Sequence, residues 1–489
     1  MRELATRVAV CYNQTAPVLL RISDTHMTDM RYNTGMSPAI IVIFGITGDL
    51  AGRYLLPSLY RLFKDNLLDD KTEIVGISRR PLDVEDLLGK LQETVTKLEG
   101  EANQTVLERM RRHLHGFTLD MANPAGYAAL REQLNTIEDA QGTCMNRLYY
   151  LSIPPEAYST VIASMGGSGL NDSCQHGTAM TRLLVEKPFG NDLASAEKLI
   201  ETTNRAFGED QIFRIDHYLA KETAQNIVAF RFENPLFEAV WNNQHVSKID
   251  IVASEQIGIE GRANFYEQQG ALRDFIQNHL LQLLAIATMD EPAKLDSEGI
   301  HFAKLQLLES LRPTEPSQAK RGQYQGYKDD VKNPESHVET YASISTSIDN
   351  YRWQGVPITV RTGKAMAERR TVITFTFKDK KTGLVANELQ FRIQPDEGID
   401  LKLLAKKPGF DNELQPVVMD FSYAQNFAGI QPGAYERVLM DAVRGDRSLF
   451  ASSQEVLAAW RVVNDVVHAW QQDGNDLQIY QPSTPIDQL

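Results

Sequence analysis

The fold of the chain is decided by residues 39–51, which read AIIVIFGITGDLA. A continuous apolar run ends in glycine here, and such a run is typical of a buried parallel strand. Glycines in the following turn let the backbone bend tightly and approach a pyrophosphate, while the next helix offers free amides and the positive end of its dipole. The stretch favours a strand–turn–helix nucleotide site over a plain structural turn. Its predicted cofactor-binding residues are Gly45, Gly48, Asp49 and Leu50.

The end of the second predicted strand, residues 73–78, indicates which dinucleotide binds. An Asp or Glu there would accept hydrogen bonds from the adenosine ribose and favour NAD. The chain has Ser78-Arg79-Arg80 instead, and two guanidinium groups can bind a 2′-phosphate through charge-assisted hydrogen bonds. We therefore expect NADP as the cofactor, with Arg79 in direct contact. Two solvated arginines that open a loop are the alternative.

Strands and helices alternate over the first half of the chain. Leucines at helical spacing predict a helix from about 49 to 63, in which Pro57 marks a first turn or a kink. Further buried strands are predicted at 148–152 and 181–186. This alternation is typical of an open α/β, Rossmann-like domain, which we place at residues 36–213.

The pattern changes after about residue 213. Segments that alternate polar and apolar residues predict half-buried antiparallel strands. These segments lie at 247–255, 341–347, 371–378 and 388–393, and helical spans lie at 271–289 and 455–471. Residues 214–489 are therefore predicted to form a larger α+β domain with one large, mainly antiparallel sheet.

The first 35 residues are irregular in pattern, and Met36 stands immediately before the first predicted strand. We expect residues 1–35 to be a non-native or poorly ordered extension. Residues 22–26, Ile-Ser-Asp-Thr-His, mimic the opening of a two-metal phosphoesterase. That chemistry needs further ligand clusters, and no Gly-Asn-His cluster follows in the sequence, so we interpret the match as chance.

Composition limits the classes of partner. The 489 residues are 42% hydrophobic and 23% charged, with a formal net charge of −14, which is typical of a soluble globular protein. A general binder of nucleic acid or anionic membranes would need a basic surface, so both are disfavoured. No apolar run reaches the roughly 18 residues that a membrane span needs, and the N-terminus lacks a secretory signal pattern.

The three cysteines, Cys11, Cys144 and Cys174, are odd in number and widely spaced. This spacing favours neither a disulfide framework nor a zinc site. We expect a cytoplasmic protein that holds no metal.

Residues 214–222, RIDHYLAKE, combine an acid, an imidazole, a phenol and an amine. The mixture suits a phosphate ester, since His and Lys supply positive donors and Tyr supplies a hydroxyl; a solvated helix start is the alternative. Oxidation of an alcohol also needs a base, and histidine suits that task. Of the ten histidines, His217 and His279 are best placed, each beside an acid or amide in apolar surroundings. A lone histidine on an apolar helix is more often a core residue.

Six motifs in a fixed order resemble glucose-6-phosphate dehydrogenase in its bacterial form. They are Gly45-x-x-Gly48-Asp49-Leu50-Ala51, Glu186-Lys187-Pro188, Arg214-Ile215-Asp216-His217-Tyr218-Leu219-x-Lys221-Glu222, Gln277-Asn278-His279, Arg321-Gly322-Gln323-Tyr324 and Arg361-Thr362-Gly363-Lys364. The resemblance covers the chain from about residue 38 to its C-terminal region. The Asp-His-Tyr-Leu-x-Lys-Glu stretch is its most specific part.

The resemblance implies a role for each matched residue. It makes His279 the general base at the C1 hydroxyl of the sugar, and Asp216 the carboxylate that orients this base. The residues implied to bind substrate are Lys187, His217, Tyr218, Lys221, Glu255, Asp274 and Lys364. Among these, His217, Tyr218 and Lys221 match the cradle for the 6-phosphate. Lys187 also matches a residue at the cofactor, where Pro188 shapes the junction.

The implied reaction is NADP-dependent oxidation of β-glucose 6-phosphate at C1 in the oxidative pentose phosphate pathway. Its products are 6-phosphoglucono-δ-lactone and NADPH, and no metal takes part. The lysines and His217 are expected to form a local cationic pocket in an otherwise acidic protein. The family also implies a homodimer or homotetramer through the large sheet, which makes residues 214–489 the substrate-binding and oligomerisation domain.

The chain departs from the family pattern at a few positions. Tyr54 stands where lysine is common, and Gly433 stands where aspartate is usual. Gln394 either faces the substrate or ends a strand. Arginines that could serve a second, structural NADP site, a site whose presence stays open, are Arg369, Arg370 and Arg392.

Two other functions stay open. Another NAD(P)-dependent sugar dehydrogenase with a Glu-Lys-Pro turn would lack the His-Tyr-Leu-x-Lys cradle. A catalytically silent NADP-binding regulatory protein of the same fold would have lost Asp216, Lys221 or His279, and all three are present.

Overall fold

A computed structural model describes residues 36–172, 179–379, 385–427, 432–472, 474 and 476–489. The predicted extension at residues 1–35 lies outside the described residues. The strands are β1 (Ala39–Phe44), β2 (Glu73–Ser78), β3 (Leu114–Thr118), β4 (Asn146–Leu151), β5 (Thr181–Val185), β6 (Ile212–Ile215), β7 (Val246–Ser254), β8 (Ala319–Tyr324), β9 (Tyr341–Thr346), β10 (Ile358–Gly363), β11 (Arg370–Phe377), β12 (Glu388–Gln394), β13 (Gly398–Lys406), β14 (Leu414–Ser422), β15 (Phe450–Ala451) and β16 (Gln478–Tyr480).

The α-helices are α1 (Leu56–Lys64), α2 (Val84–Glu99), α3 (Gln104–His113), α4 (Ala125–Gln141), α5 (Tyr158–Gly167), α6 (Leu193–Ala206), α7 (Glu222–Phe232), α8 (Pro235–Glu238), α9 (Ala263–Ala271), α10 (Leu281–Thr288), α11 (Ser297–Glu309), α12 (Tyr327–Val331), α13 (Tyr423–Asn426), α14 (Ala434–Arg444) and α15 (Ser453–Gln472). Two segments are π-helical, Ala51–Leu55 and Leu272–Leu280, and short 3₁₀ turns lie at Pro155–Ala157, Glu209–Gln211, Pro316–Gln318 and Ile486–Gln488.

The first sheet is parallel from β1 to β6, in the order β6-β5-β4-β1-β2-β3. Every residue of β1, β2, β4, β5 and β6 is buried, because helices cover both faces of a parallel sheet. Ile40 and Val42 enter one apolar core, while Ile41 and Ile43 enter another on the opposite face. The predicted Rossmann-like arrangement is confirmed.

The second sheet has nine strands, in the order β14-β13-β12-β11-β7-β10-β9-β8-β16. Its pairings are antiparallel except for β7 with β10 and β8 with β16. The prediction of one large, mainly antiparallel sheet is confirmed. The prediction that 247–255 is a half-buried antiparallel strand is wrong in part, because β7 lies inside the sheet with a parallel neighbour on one side and is mostly buried.

The two predicted helices that carry functional residues both contain π-helical turns. The helix after β1 runs through Ala51–Leu55 into α1, and Pro57 lies in the first turn of α1. The helix expected at 271–289 begins earlier, at Ala263, and is interrupted by Gly270 with φ +66°. A β-carbon on Gly270 would lie 2.3 Å from the Glu339 carboxylate, so the break needs glycine.

The end of the chain returns to the first sheet, which the sequence pattern did not indicate. β15 pairs antiparallel with β6, through Phe450 opposite Ile215 and Ala451 opposite Arg214. Apolar residues of α14 pack in the same core as α1. A boundary near residue 213 stays a prediction.

The prediction that the cysteines form no disulfide is wrong for Cys144, which is disulfide-bonded. Spacing along the sequence does not report which sulfur atoms approach each other in the fold. Cys11 and Cys174 lie outside the described residues. No helix within the described ranges is long and apolar enough to cross a membrane.

Candidate active site

The predicted nucleotide turn is shaped by its glycines. Gly45 has φ +78°, and a β-carbon there would lie 2.4 Å from the carbonyl oxygen of Ser152. The Gly45 amide donates to Ile77 O at 3.0 Å, and the Gly48 amide donates to Gly45 O at 2.9 Å. The backbone is thereby held in a tight turn just before the helix begins, and such a turn lets a pyrophosphate approach the helix N-terminus.

Arg79 and Arg80 follow β2 and are both exposed. The Ser78 hydroxyl donates to Arg80 O at 2.6 Å, which fixes the backbone of this corner. No carboxylate of the described chain lies within 4.0 Å of either guanidinium group. Both arginines are therefore available to an anion, as a 2′-phosphate requires.

His279 and Asp216 form a buried pair. The Nδ1 atom of His279 lies 2.6 Å from Oδ1 of Asp216, and both side chains are at most 5% exposed. Asp216 Oδ1 also accepts from the Tyr218 amide at 2.9 Å. The sequence places these two residues 63 positions apart, and the fold brings them together.

The charges around the pair fix its protonation. Although burial opposes ionisation, His279 and other nearby donors hold the pKa of Asp216 at about 2. A carboxylate can only accept, so Nδ1 of His279 carries the hydrogen of their bond. Burial lowers the pKa of His279 even though Asp216 opposes this shift. Nε2 of His279 has no hydrogen-bond partner among the described residues, so the neutral ring presents a free basic nitrogen.

Aromatic rings hold the imidazole in place. The Tyr218 ring stacks on His279 with centroids 4.5 Å apart, and the His217 ring meets it edge-on at 4.6 Å. The Tyr218 hydroxyl accepts from Gln394 Nε2 at 2.9 Å, so Gln394 reaches the site from the end of β12. These contacts restrict the ring to one orientation.

Two predicted substrate lysines are paired with the two predicted substrate acids. Lys187 Nζ lies 2.8 Å from Asp274 Oδ1, and Lys364 forms an ion pair with Glu255. Lys187 chiefly, with Lys364, holds the pKa of Asp274 well below its usual range against the effect of burial. These four residues therefore form a preassembled polar wall.

The expected cationic pocket stays a prediction, and burial affects the charge of one of its members. Burial, together with the charges of His279, Lys187 and Lys221, lowers the pKa of His217 well below its ordinary value. His217 is therefore a neutral donor. Lys221, at the start of α7, has no carboxylate within 4.0 Å in the described part of the chain, so its amine is available to an anionic ligand.

Sequence reasoning assigned no role to Glu186, the first residue of its Glu-Lys-Pro motif. The Tyr150 hydroxyl donates to Glu186 Oε1 at 2.5 Å, and burial raises the pKa of Glu186 to about 7. β4 and β5 end side by side, which brings the two residues together. In the sequence, Tyr150 is one residue of an apolar strand, and nothing in that pattern indicates a hydrogen bond to Glu186.

The two departures from the family pattern lie close together. The Tyr54 ring stacks on Tyr435 at 5.1 Å, and Gly433 immediately precedes α14, which contains Tyr435. Arg370 is paired with Asp487 at 2.5 Å, and Arg392 with Asp420 at 2.6 Å. An additional phosphate at these arginines would have to compete with carboxylates.

The dinucleotide turn, one of the substrate lysines and the carboxylate of the catalytic pair lie at the carboxyl edge of the first sheet. The glycine turn follows β1, Lys187 follows β5, and Asp216 follows β6. Ligands of open α/β sheets bind at this edge. A dinucleotide turn beside a free imidazole base defines an NAD(P)-dependent oxidoreductase as the class of protein.

Comparisons with known proteins narrow the class. Residues 42–226 match the family model "Glucose-6-phosphate dehydrogenase, NAD binding domain", and residues 228–485 match "Glucose-6-phosphate dehydrogenase, C-terminal domain". Glucose-6-phosphate 1-dehydrogenase of Chlamydia pneumoniae is 40% identical, over 90% of each chain. The protein of the same name from Bacillus subtilis is 39% identical, over 88% of this chain and 91% of its own.

Comparison with solved structures indicates the same family. A glucose-6-phosphate dehydrogenase in complex with glucose 6-phosphate superposes with a TM-score of 0.85 at 32% identity, covering 92% of this chain and 96% of its own. The chain belongs to the glucose-6-phosphate dehydrogenase family.

Proposed function

We propose that this chain oxidises glucose 6-phosphate at C1 with NADP, and that His279 is the general base. Membership of the family supports the substrate, the cofactor and the enzymatic activity. The observation that carries the proposed mechanism is the buried His279–Asp216 pair with a free Nε2.

The base acts on the C1 hydroxyl. Nε2 of His279 takes the hydroxyl proton, and the carboxylate of Asp216 stabilises the imidazolium that results. Bound NADP would supply the acceptor for the hydride that leaves C1. The substrate becomes 6-phosphoglucono-δ-lactone.

The remaining residues position the two reactants. His217, Tyr218 and Lys221 bind the phosphate in this proposal, with Lys221 supplying the charge and His217 a neutral donor. The preassembled polar wall contacts the sugar hydroxyls and the site where sugar and cofactor adjoin. It consists of Lys187, Glu255, Asp274 and Lys364.

The residues present fit an NADP molecule. Gly45 lies in a tight turn where a β-carbon would clash with the Ser152 carbonyl oxygen, and the amides near Asp49 and Leu50 begin the following helix. Arg79 is the proposed contact of the 2′-phosphate.

Association with a second copy is proposed through the outer edge of the large sheet. β14 is an edge strand, and its Leu414, Val418 and Met419 are 42%, 59% and 62% exposed. An apolar edge strand with unpaired backbone groups is a surface for pairing with another chain. A homodimer or homotetramer follows. The proposed location is the cytoplasm, where phosphorylated sugars and NADP are retained.

Initial rates of absorbance gain at the reduced-nicotinamide band test the function. Wild type is assayed with glucose 6-phosphate and with glucose, each with NADP and with NAD. We expect NADP-dependent turnover of the phosphate ester, and a loss of at least about 10²-fold in His279→Asn with nucleotide binding retained. His245→Asn, at an exposed histidine, is the matched control.

Two outcomes would contradict the proposal. Turnover preserved in His279→Asn would move the base elsewhere. A folded wild-type protein that binds NADP but does not turn over glucose 6-phosphate would indicate another sugar phosphate or a silent binding protein.

A further inference from the structure

A buried cluster of ionisable residues lies behind the catalytic pair. Lys304 Nζ is 2.8 Å from Glu455 Oε2, and these side chains are at most 1% exposed. His301 Nδ1 lies 2.6 Å from Glu455 Oε1. Lys304 chiefly, with His301, holds the pKa of Glu455 at about 2 against the effect of burial. Removing such charges from water is unfavourable, and apolar residues could fill the same space.

The cluster contacts the helix that carries His279. Lys304 Nζ donates to Gln282 Oε1 at 3.2 Å. Gln282 lies one helical turn after His279 and lines the same small cavity as Asp216 and His279. Lys304 thereby fixes a side chain beside the catalytic pair.

The cluster also contacts β15 and the segment that leads into it. His301 Nε2 donates to Arg447 O at 2.9 Å, just before the strand, and Lys304 Nζ lies 3.5 Å from Phe450 O within it. Glu455 follows the strand in the first turn of α15. The two ring nitrogens of His301 thus connect Glu455 to the segment before β15.

β15 is short, yet it pairs with the strand that leads to Asp216. Its two residues lie opposite Ile215 and Arg214 of β6, and Asp216 is the next residue after β6. So short a strand makes too few ladder hydrogen bonds to hold itself in place. A second contact, from Glu209 to both Arg214 and the Ser453 amide, joins the same two segments.

We propose that Lys304 and Glu455 are positioning residues for the reaction. They hold β15 against β6 and Gln282 beside the pair, so that Asp216 stays aligned with Nδ1 of His279. Neither residue touches substrate or cofactor in this account. The proposal rests on the proposed function, because it concerns the same general base.

The test compares Lys304→Met and Glu455→Gln with a matched control. Arg147→Met removes a similarly buried ion pair, with Glu138 at 2.7 Å and side chains 8% and 12% exposed. Arg147 lies in β4 near its start, at the amino edge of the same sheet and away from the site. Kcat, both KM values, the pH profile of kcat and the thermal unfolding midpoint are measured for each variant.

We expect the two cluster variants to lower kcat roughly 10- to 100-fold with KM values within about twofold of wild type, since misalignment affects the chemical step. The acid limb of the kcat profile should move to lower pH, because a displaced Asp216 stabilises the imidazolium less. Arg147→Met should lower the unfolding midpoint alone. Each single variant leaves one unpaired buried charge, which can prevent folding. The double variant Lys304→Met/Glu455→Gln removes both charges, so the same measurements can be made on it.

The positioning role would be overturned if the cluster variants lowered only the thermal unfolding midpoint, as Arg147→Met is expected to do. In that case kcat and the acid limb of its pH profile would be unchanged. Failure of the proposed function is distinguishable from this result, since wild type itself would then show no turnover of glucose 6-phosphate.

Discussion

The catalytic pair and the dinucleotide turn lie at one edge of the same sheet, but they are built differently. Around the pair, side chains are partnered and largely out of solvent, as buried His279 is by Asp216 and half-buried Lys187 is by Asp274. At the turn, the shape comes from the backbone at Gly45, and the side chains of Arg79 and Arg80 are exposed. One region is assembled before ligands arrive, while the other presents charges to a ligand.

This difference predicts different kinetic signatures. A change in the assembled region should alter the chemical step, because alignment of the base is what the buried contacts supply. A change at the turn should alter cofactor affinity and its dependence on salt, because exposed charges are screened.

The largest effect is expected for Asp216→Asn. The amide retains the shape of the carboxylate but loses the charge that stabilises the imidazolium, so kcat should fall about 10²- to 10⁴-fold. NADP affinity, measured by fluorescence titration, should be unchanged. Asp329→Asn, at an exposed aspartate, is the control. A kcat close to wild type in Asp216→Asn would contradict the claim that the catalytic pair, unlike the dinucleotide turn, controls the chemical step.

The next effect is expected for Arg79→Ser. Loss of a charge-assisted bond to the 2′-phosphate should raise the KM for NADP about 10- to 100-fold. The KM for NAD and the kcat should stay near wild type. Arg80→Ser serves as the neighbouring control, and an equal or larger effect there would move the phosphate contact to Arg80.

The pH dependence of kcat sharpens the comparison further. His279 acts as a base only when neutral, and its pKa is lowered, chiefly by burial. Activity should therefore be retained at pH values above that pKa. As the pH falls below it, kcat should decrease about tenfold per pH unit. This acid limb of the kcat profile should lie below about pH 6.5, the ordinary histidine pKa. A limb above this value in kcat would contradict the assigned environment of His279.

The smallest effect is expected for Tyr54→Lys. Tyr54 is 46% exposed in the first helix after the turn, and a cation there should strengthen NADP binding a few-fold at low salt. The gain should disappear near 1 M salt. Tyr54→Phe is the control for loss of the hydroxyl, and weaker binding in Tyr54→Lys would show that the Tyr54–Tyr435 stack itself supports the site.

Much of the fold followed from local pattern. The buried run before Gly45 and the alternating segment of β11 each contain their own periodicity, so sequence alone predicted both sheets. β15 could not be predicted, since two residues carry no periodicity and their partner lies in β6. The disulfide at Cys144 was missed for a similar reason, because it depends on proximity in space.

The candidate site was predicted unevenly. His279, Asp216 and Lys221 were identified from motifs, and the fold places the first two in contact. The pairing of Lys364 with Glu255 and the neutral state of His217 depend on burial and neighbouring charges, which a motif does not report. Glu455 and Lys304 lie in helices without a distinctive motif, and the contact of Lys304 with Phe450 of β15 appears only in the folded chain.

The central claim is that Asp216 holds a neutral His279 with its hydrogen on Nδ1 and leaves Nε2 as the base. Nitrogen NMR of ¹⁵N-histidine-labelled protein, assigned by difference with His279→Asn, reports the tautomer directly across a pH titration. We expect the neutral Nδ1–H form of His279 in wild type down to a pH below the ordinary histidine pKa, and loss of that preference in Asp216→Asn. An Nε2–H tautomer, or a titration that Asp216→Asn leaves unchanged, would contradict it.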